Sequence, residues 1–515
     1  LGIWRYQRLP SYQDRMLKYD CIIAGSGIAG LTAAAILSKR GRRVLVLEKQ
    51  PQLGGALRRF TRRNIAFDVG FHYTGGLGEG EILKLLWDYC QVTEHLKIIP
   101  LLEQGCDNLT IIGKKNPITV SYAYDRFEAE LNSHFPDQAK AISSYFSKVQ
   151  EICADIPFYN TELPLTPFLR GYKSRHLLLA DYLHTLTNNS DLLAALASPA
   201  FLYGVPASQA SLEVHAMVAH GYYSGAYSVR NGGQAIVEAF VAVLKQTGTE
   251  FKTRQTVSTI SHGPSCMKVS TGNGEQFSCD NFIFTGHPAA IVDMVPPSTF
   301  RPAYCSRLRE LKNTISMSAL FATIPARSSL APQKQINNYL LPSGLNFIPE
   351  VHTSKRNSQT LFMSNPGVWD SEALQNGRQG VILLSPCLWD EVAMFQQSST
   401  KNRPSSYYDK KEALTRQMIA TAQNTWENCS DMQILAAGTP LTFRDELSTP
   451  QGAVYGAKHC LGQYTPDCRT RVPGLFLAGQ STLMTGVVGA SLSGLVSAGE
   501  IVGLEQLWDE VRQCT

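Results

Sequence analysis

The apolar and polar positions of the chain change period along its length. Residues 19–24 are a short continuous apolar run ending in glycine, as a strand buried on both faces requires. The turn Gly25-Ser26-Gly27-Ile28-Ala29-Gly30 follows, and the Ala-rich stretch 31–39 predicts a helix. Residues 42–47 predict a second strand that ends at Glu48, completing a βαβ unit. From 77 to 222 the pattern is helical, clearest at 82–89, 137–153 and 177–186, with a Pro- and Gly-punctuated loop at 161–172. Strand-like sequence returns at 251–260, 266–271 and 281–284, and 319–384 alternates strand-like and turn-like pieces. A polar loop at 397–406 precedes a predicted amphipathic helix at 409–427. The last strong elements are a strand at 474–477 and a helix at 486–507. The longest apolar stretches, 21–37 and 486–504, are Gly-rich and carry Ser or Thr, which suits buried elements better than a membrane span. No repeat of solenoid length interrupts this order.

Composition narrows the class. At 515 residues, 44% hydrophobic and 17% charged, the chain reads as globular with at least two sub-domains. A net charge of +5 is too mild for a dedicated nucleic-acid binder. Basic residues do cluster early, at Lys39, Arg40, Arg42 and Arg43 and again at Arg58, Arg59, Arg62 and Arg63. They suit a solvated face or phosphate-facing loops, or attraction to an anionic membrane surface. The 12 cysteines form no C-x-x-C pair and the 11 histidines no H-E-x-x-H, so no metal site is expected. Reduced thiols point to a cytoplasmic setting, with peripheral membrane contact as an option. Residues 1–18 are polar and basic, lack the apolar stretch of a secretory signal and begin without Met, which allows for an upstream segment.

The glycine-rich turn carries the first chemistry. G-x-G-x-x-G between a strand and a helix, with an acid ending the next strand, is a dinucleotide-binding pattern. Gly25 permits the tight turn, Gly27 admits a pyrophosphate to the backbone, and Gly30 lets helix and strand pack closely. Ile28 and Ala29 open the helix whose N–H groups face the phosphates. Glu48 can accept ribose hydroxyls and repels a 2′-phosphate. The pattern alone does not separate FAD from NAD.

Leu53-Gly54-Gly55-Ala56 with Arg58, and then Phe67-Asp68-Val69-Gly70-Phe71-His72-Tyr73, resemble the early fingerprints of amine-oxidase and phytoene-desaturase type flavoproteins. Residues 67–76 and 211–233 are similar in particular to all-trans-retinol saturases and carotenoid isomerases. The strand 251–260, with Val257, resembles the family strand whose backbone contacts adenine. Residues 472–499, with Gly479, Gln480, Gly486, Val487 and Val488, resemble the C-terminal FAD motif of the desaturase-like branch, in which Gln replaces an acid after the final glycine. The resemblance touches most of the chain and is weakest at 300–432.

It implies an α/β fold: a doubly wound, Rossmann-like FAD-binding domain with a parallel sheet, and an inserted mixed α+β substrate domain. The FAD domain is expected at 18–76, 225–300 and 440–507, and the substrate domain at 77–224 and 301–439. It implies non-covalent FAD held by Gly25, Gly27, Ile28, Ala29, Gly30, Glu48, Lys49, Gly54, Gly55, Ala56, Arg58, Val257, Gly479, Gln480, Gly486, Val487 and Val488. The expected reaction lies on C=C or C–C bonds of a hydrophobic polyene or isoprenoid, with a saturase first and a desaturase or isomerase as alternatives. A saturase needs a proton donor beside the flavin, and His72, Tyr73, His215, His220 and Tyr227 are the candidates. Each could equally be a satisfied structural side chain. An apolar tunnel is expected near Phe158, Leu163, Leu165, Phe168, Leu169, Phe201 and Tyr203, and residues 156–169 could anchor the protein at a bilayer. No second dinucleotide unit is visible, so the reductant is diffusible NAD(P)H, an electron-donor protein or the substrate itself. An amine oxidase and a prenyl-binding escort that has lost FAD are the competing readings.

Overall fold

The computed structural model describes residues 18–101, 107–171, 177–263, 266–326, 337–350, 359–366, 372 and 374–514. The βαβ unit forms as its pattern predicts: β1 (Lys18–Ala24), α1 (Ile28–Lys39) and β2 (Val44–Leu47). Three later strands join them: β3 (Glu250–Lys252), β4 (Gln276–Phe284) and β5 (Leu475–Leu477). The order β5-β4-β1-β2-β3 is parallel throughout. Continuous apolar runs fit these central strands because neighbours cover both faces. The ribbon Val257–His262 and Met267–Thr271 adds antiparallel pairing to the first half of β4.

The expected single strand 251–260 is therefore two strands. Arg254 turns the backbone into the left-handed region (φ 56) and separates them. The long C-terminal helix is likewise divided. α2 (Gly486–Val502) ends at Gly503, whose φ of 101 suits a residue without Cβ, and a second helix runs over Leu504–Arg512. α2 crosses α1 closely, since a Cβ at Gly494 would lie 2.4 Å from the Ala29 carbonyl oxygen.

A second, mixed sheet stands apart from the first. Its order is Gln433–Gly438, Ser316–Pro325, Arg378–Cys387, Leu361–Ser364, Asn337–Leu341, Asp107–Ile111 and Ile118–Val120. All pairs are antiparallel except Asn337–Leu341 with Asp107–Ile111, where Asn337 stands opposite Asp107. The helical pattern read over 77–222 thus hides strands Ile98–Pro100, Asp107–Ile111 and Ile118–Val120. Apolar side chains of the outer face, Leu320, Leu361, Met363 and Leu383, cluster with Met418 and Ala422 of the helix Ser405–Thr425.

Helices Tyr124–His134, Ala139–Ala154, Leu179–Leu186, Ser190–Ala197 and Leu212–Tyr223 form the rest of this half. The expected loop 161–172 contains a helix, Leu165–Gly171. Pro167 falls in its first turn, where a missing N–H costs nothing, and Glu505 accepts from the Thr166 N–H at 2.7 Å. Among the described residues no helix is long and apolar enough to cross a membrane.

Candidate functional site

The first turn separates two kinds of glycine. A Cβ at Gly25 would stand 2.2 Å from Thr285 Oγ1, and one at Gly30 would stand 2.1 Å from the Gly25 carbonyl oxygen. These two hold the fold. A Cβ at Gly27 would meet nothing within 4 Å, and its φ of −66 is ordinary. Gly27 is thus spared for something the chain does not itself supply, as a pyrophosphate at the N-terminus of α1 requires. Ile28 and Ala29 form the buried start of that helix.

Glu48 ties the turn to its surroundings. It is buried, and its Oε2 accepts from the Ser26 N–H at 2.9 Å and the Ser26 hydroxyl at 2.5 Å. Oε1 accepts from the Gln50 N–H at 2.8 Å, and no other of the described residues donates to it. A carboxylate oxygen takes two donors, so Oε1 keeps a lone pair for a ribose hydroxyl. Ser26 Oγ in turn accepts from the Gly54 N–H at 3.0 Å, joining the two glycine loops. Gly54 and Gly55 both have positive φ, 116 and 56, and a Cβ at Gly55 would lie 3.2 Å from Gly27 Cα. Ala56 is exposed beside them. Arg58 does not reach into open space: it donates to the Gly55 and Glu446 carbonyls at 2.9 and 3.0 Å. Lys49 is exposed and donates to Ser448 Oγ at 3.1 Å. Val257 is buried at the start of its strand, two residues from Gln255, whose N–H donates to the Glu48 carbonyl at 2.8 Å.

The C-terminal arm closes on this turn. Gly479, with φ 105, packs on the Thr285 carbonyl, the residue that also crowds Gly25. Its N–H donates to Ser493 Oγ at 2.9 Å, and Ser493 also bonds Thr482 at 2.7 Å. His459 donates to the Gln480 carbonyl at 2.8 Å, while the Gln480 amide reaches the Val454 carbonyl at 3.5 Å. No side chain caps α2, so the first-turn N–H groups of Gly486, Val487 and Val488 have no helical partner. A Cβ at Gly486 would meet nothing within 4 Å. Two glycines with free space, at the N-termini of α1 and α2, mark the ends of a cradle that fits a flavin dinucleotide. Gly27 and α1 would hold the pyrophosphate, Glu48 the ribose, and the positive end of α2 the isoalloxazine.

The proton-donor candidates divide. Gly76 packs on Val488 of α2, and Gly75 backs onto the Gly221 carbonyl, so residues 73–76 run beside the opening of α2. Tyr73 leaves this segment toward the second sheet. Its hydroxyl bonds that of Tyr339, and its ring meets Tyr222 and Tyr122 at centroid distances of 5.1 and 6.0 Å. His72 lies edge-on to Phe362 at 5.3 Å, and burial pushes its pKa down to about 4. A small cavity lined by Tyr73, Asp107, Leu109, Leu202, Tyr222 and Tyr339 opens here. Phe201 joins this aromatic group through Tyr339 and Phe362.

The other candidates sit elsewhere. His215 is fully buried between Tyr145 (2.9 Å) and Tyr203 (3.0 Å), and burial pushes its pKa down to about 3. His220 bonds Tyr124 at 2.6 Å. Tyr227 exchanges backbone bonds with Thr74 and lays its ring over Gly78 and Gly225. Phe158 packs on Phe168 and Trp508 rather than lining a tunnel, and Ile156, Phe158 and Leu165 are buried. Within 156–169, Leu163, Phe168 and Leu169 are half-buried. Much of the early basic cluster is also engaged: Arg40 pairs with Glu510, Arg43 with Glu250 and Arg59 with Asp68.

Reasoning from sequence passed over Ser26, Ser493, His459, Asp107, Tyr122 and Tyr339. Ser26 stands inside the motif at a position the motif leaves free, so no local signal marks it as a clamp for Glu48. The others are placed only by long-range packing.

Residues 28–373 match the family described as flavin containing amine oxidoreductase. The all-trans-retinol 13,14-reductase of Danio rerio is 25% identical over 94% of this chain and 86% of its own length. The chloroplastic prolycopene isomerase of Daucus carota is 24% identical over 96% of this chain and 82% of its length. Among solved structures, an oxidoreductase from Methanosarcina mazei has a TM-score of 0.65 at 16% identity, covering 93% of this chain and 99% of that one.

Proposed function

This chain belongs to the flavin containing amine oxidoreductase family, and from that premise we propose that it saturates a C=C bond of a hydrophobic polyene or isoprenoid. The α/β fold is of the amine-oxidase type, and the chain is an FAD-dependent oxidoreductase similar to retinol reductases and carotenoid isomerases. The observation that carries the finer reading is the mixed apolar and phenolic cavity around Tyr73, reached from the segment that touches the opening of α2. Bound FAD supplies hydride chemistry at N5. The chain's part is to hold the polyene in the apolar wall of Leu109, Val120 and Leu202 and to keep a phenolic proton within reach of the reacting carbon. Electrons come from NAD(P)H or a donor protein, because no second dinucleotide unit exists in the sequence.

The site assignment rests on the same cradle: Gly25, Gly27, Gly30, Gly54, Gly55, Glu48, Gly479, Gln480 and α2 around FAD, with Tyr73 as proton donor and His72 beside it. His215 and His220 serve as structural hydrogen-bonding groups, satisfied by tyrosines.

Colour is the first test. Purified protein should be yellow and release flavin on denaturation; colourless protein would favour the escort reading. Anaerobic mixing of the reduced protein with all-trans-retinol or a carotenoid should then reoxidise the flavin and add two hydrogens to the substrate by mass. A desaturase would instead be reduced by its polyene, and an isomerase would change geometry without change in mass. One feature favours a second reading, an amine substrate: a carboxyl, Asp107, ringed by tyrosines could receive an ammonium group. Hydrogen peroxide release with amines would select it.

A further inference from the structure

Resting on the alkene-reducing reading, we propose that Asp107 is the proton reservoir behind Tyr73, so that Asp107 acts through Tyr73 and not on substrate. Asp107 begins a strand of the second sheet, opposite Asn337, and is 1% exposed. Its Oδ1 accepts from Asn337 Nδ2 at 2.8 Å and its Oδ2 from the Tyr122 hydroxyl. Tyr73, Tyr122, Tyr222 and Tyr339 face it from four segments, and Tyr455 stands beside Tyr222 and Tyr339. No basic side chain among the described residues pairs with it. An isolated carboxylate in such a site loses its hydration without gaining a cation. Burial accordingly pushes the Asp107 carboxyl up to about 7, against hydrogen bonds from Tyr122, Asn337 and Tyr73 that favour the anion. Near neutral pH it therefore holds a proton that it can release.

The tyrosines explain why such a reservoir is needed. Burial holds the Tyr73 phenol well above its ordinary pKa, so a phenolate left there is costly. In the proposed step the alkene π bond breaks. Bound, reduced flavin would supply the hydride to one carbon, and the adjacent carbon would take the Tyr73 proton. Tyr73 recovers a proton from Asp107, to which it is hydrogen-bonded, leaving a carboxylate that water reprotonates after product release. The two electrons that reduce the substrate would come from that cofactor.

Two measurements on the full flavin-loaded chain test this. Infrared difference spectra of wild type against Asp107→Asn should contain a protonated-carboxyl C=O band at pH 6 that shifts in D₂O and fades as pH rises through about 7. In single-turnover reoxidation by all-trans-retinol, the wild-type rate should fall about tenfold per pH unit above that point. Asp107→Asn should be slower by about a hundredfold and lose this pH dependence. Unchanged flavin absorbance and near-ultraviolet circular dichroism serve as the folding controls. An ionised carboxylate at pH 6 overturns the role while leaving the proposed function standing. So does an Asp107→Asn variant that only raises the half-saturating retinol concentration and keeps the wild-type pH profile. A wild-type flavin that no polyene reoxidises overturns the proposed function, and this role with it.

Discussion

Three glycines in one motif have different physical reasons, and substitution separates them. Gly25 and Gly30 are crowded by Thr285 and by the Gly25 carbonyl, so alanine at either should cost about 1–3 kcal/mol of stability or more. Gly27 has free space and an ordinary backbone, so Gly27→Val should leave the melting temperature of flavin-free protein unchanged. The same change should weaken flavin by about a hundredfold or more, about 3 kcal/mol, because its side chain takes the pyrophosphate's place. Retained stoichiometric flavin in Gly27→Val would displace the site. Glu48→Ala should act on both quantities. It orphans the Ser26 and Gln50 donors in the free protein and removes a ribose acceptor, weakening flavin by about 1–3 kcal/mol in a titration. The glycines and Glu48 were legible because spacing along a βα turn is local. Ser26 as the clamp was not, because the motif leaves its position free.

Elements carry the next level. α1 and α2 lie more than 400 residues apart in sequence, yet Gly494 brings them to backbone contact over Ala29 and Thr32. Gly494→Leu should push the helices apart, lowering the melting temperature and the flavin content together, where Gly27→Val lowers only the second. A thermal melt beside a flavin-to-protein absorbance ratio reads both. Misread elements share a cause. Strands Asp107–Ile111 and Ile118–Val120 are short and pair with each other, and Asp107–Ile111 also pairs with Asn337–Leu341 some 230 residues on. The turn between them, with Gly113 at φ 86 and Asn116-Pro117, is a local hairpin signal that the helical reading of 77–222 overlooked, whereas the pairing with Asn337–Leu341 is set by tertiary context. Arg254 and Gly503 each divide what a hydrophobic run joins, since periodicity is blind to a single residue of positive φ.

At the scale of the molecule, burial of histidine couples stability to pH. His215 is neutral in the folded protein with its pKa near 3, and His287, also buried, near 4. The unfolded chain protonates both below pH 6.5, the folded chain only near those lower values, so it is the unfolded state that gains protons as pH falls. Their contribution is complete above pH 6.5 and is lost on acidification, about 2 kcal/mol each by pH 5. Melting temperature should fall steadily from pH 7 to pH 5, and a flat profile would mean that these rings take up protons while folded. The two sheets also divide the labour. The parallel sheet and its helices carry the glycine turns proposed to hold the dinucleotide, and the mixed sheet brings Asp107 and Tyr339 to the cavity.

By itself the sequence determined the βαβ unit, the glycine spacing, Glu48, and the resemblance of both ends to a flavoprotein, because each rests on neighbours within a few tens of residues. Only the tertiary structure decided which candidates meet. Tyr73 reaches the aromatic cavity while His215 and His220 turn to tyrosines within the helical half. Asp107 acquires its character solely from being buried among phenols supplied by distant segments. A side chain's protonation follows from its dielectric surroundings, and those surroundings exist only once the chain has folded.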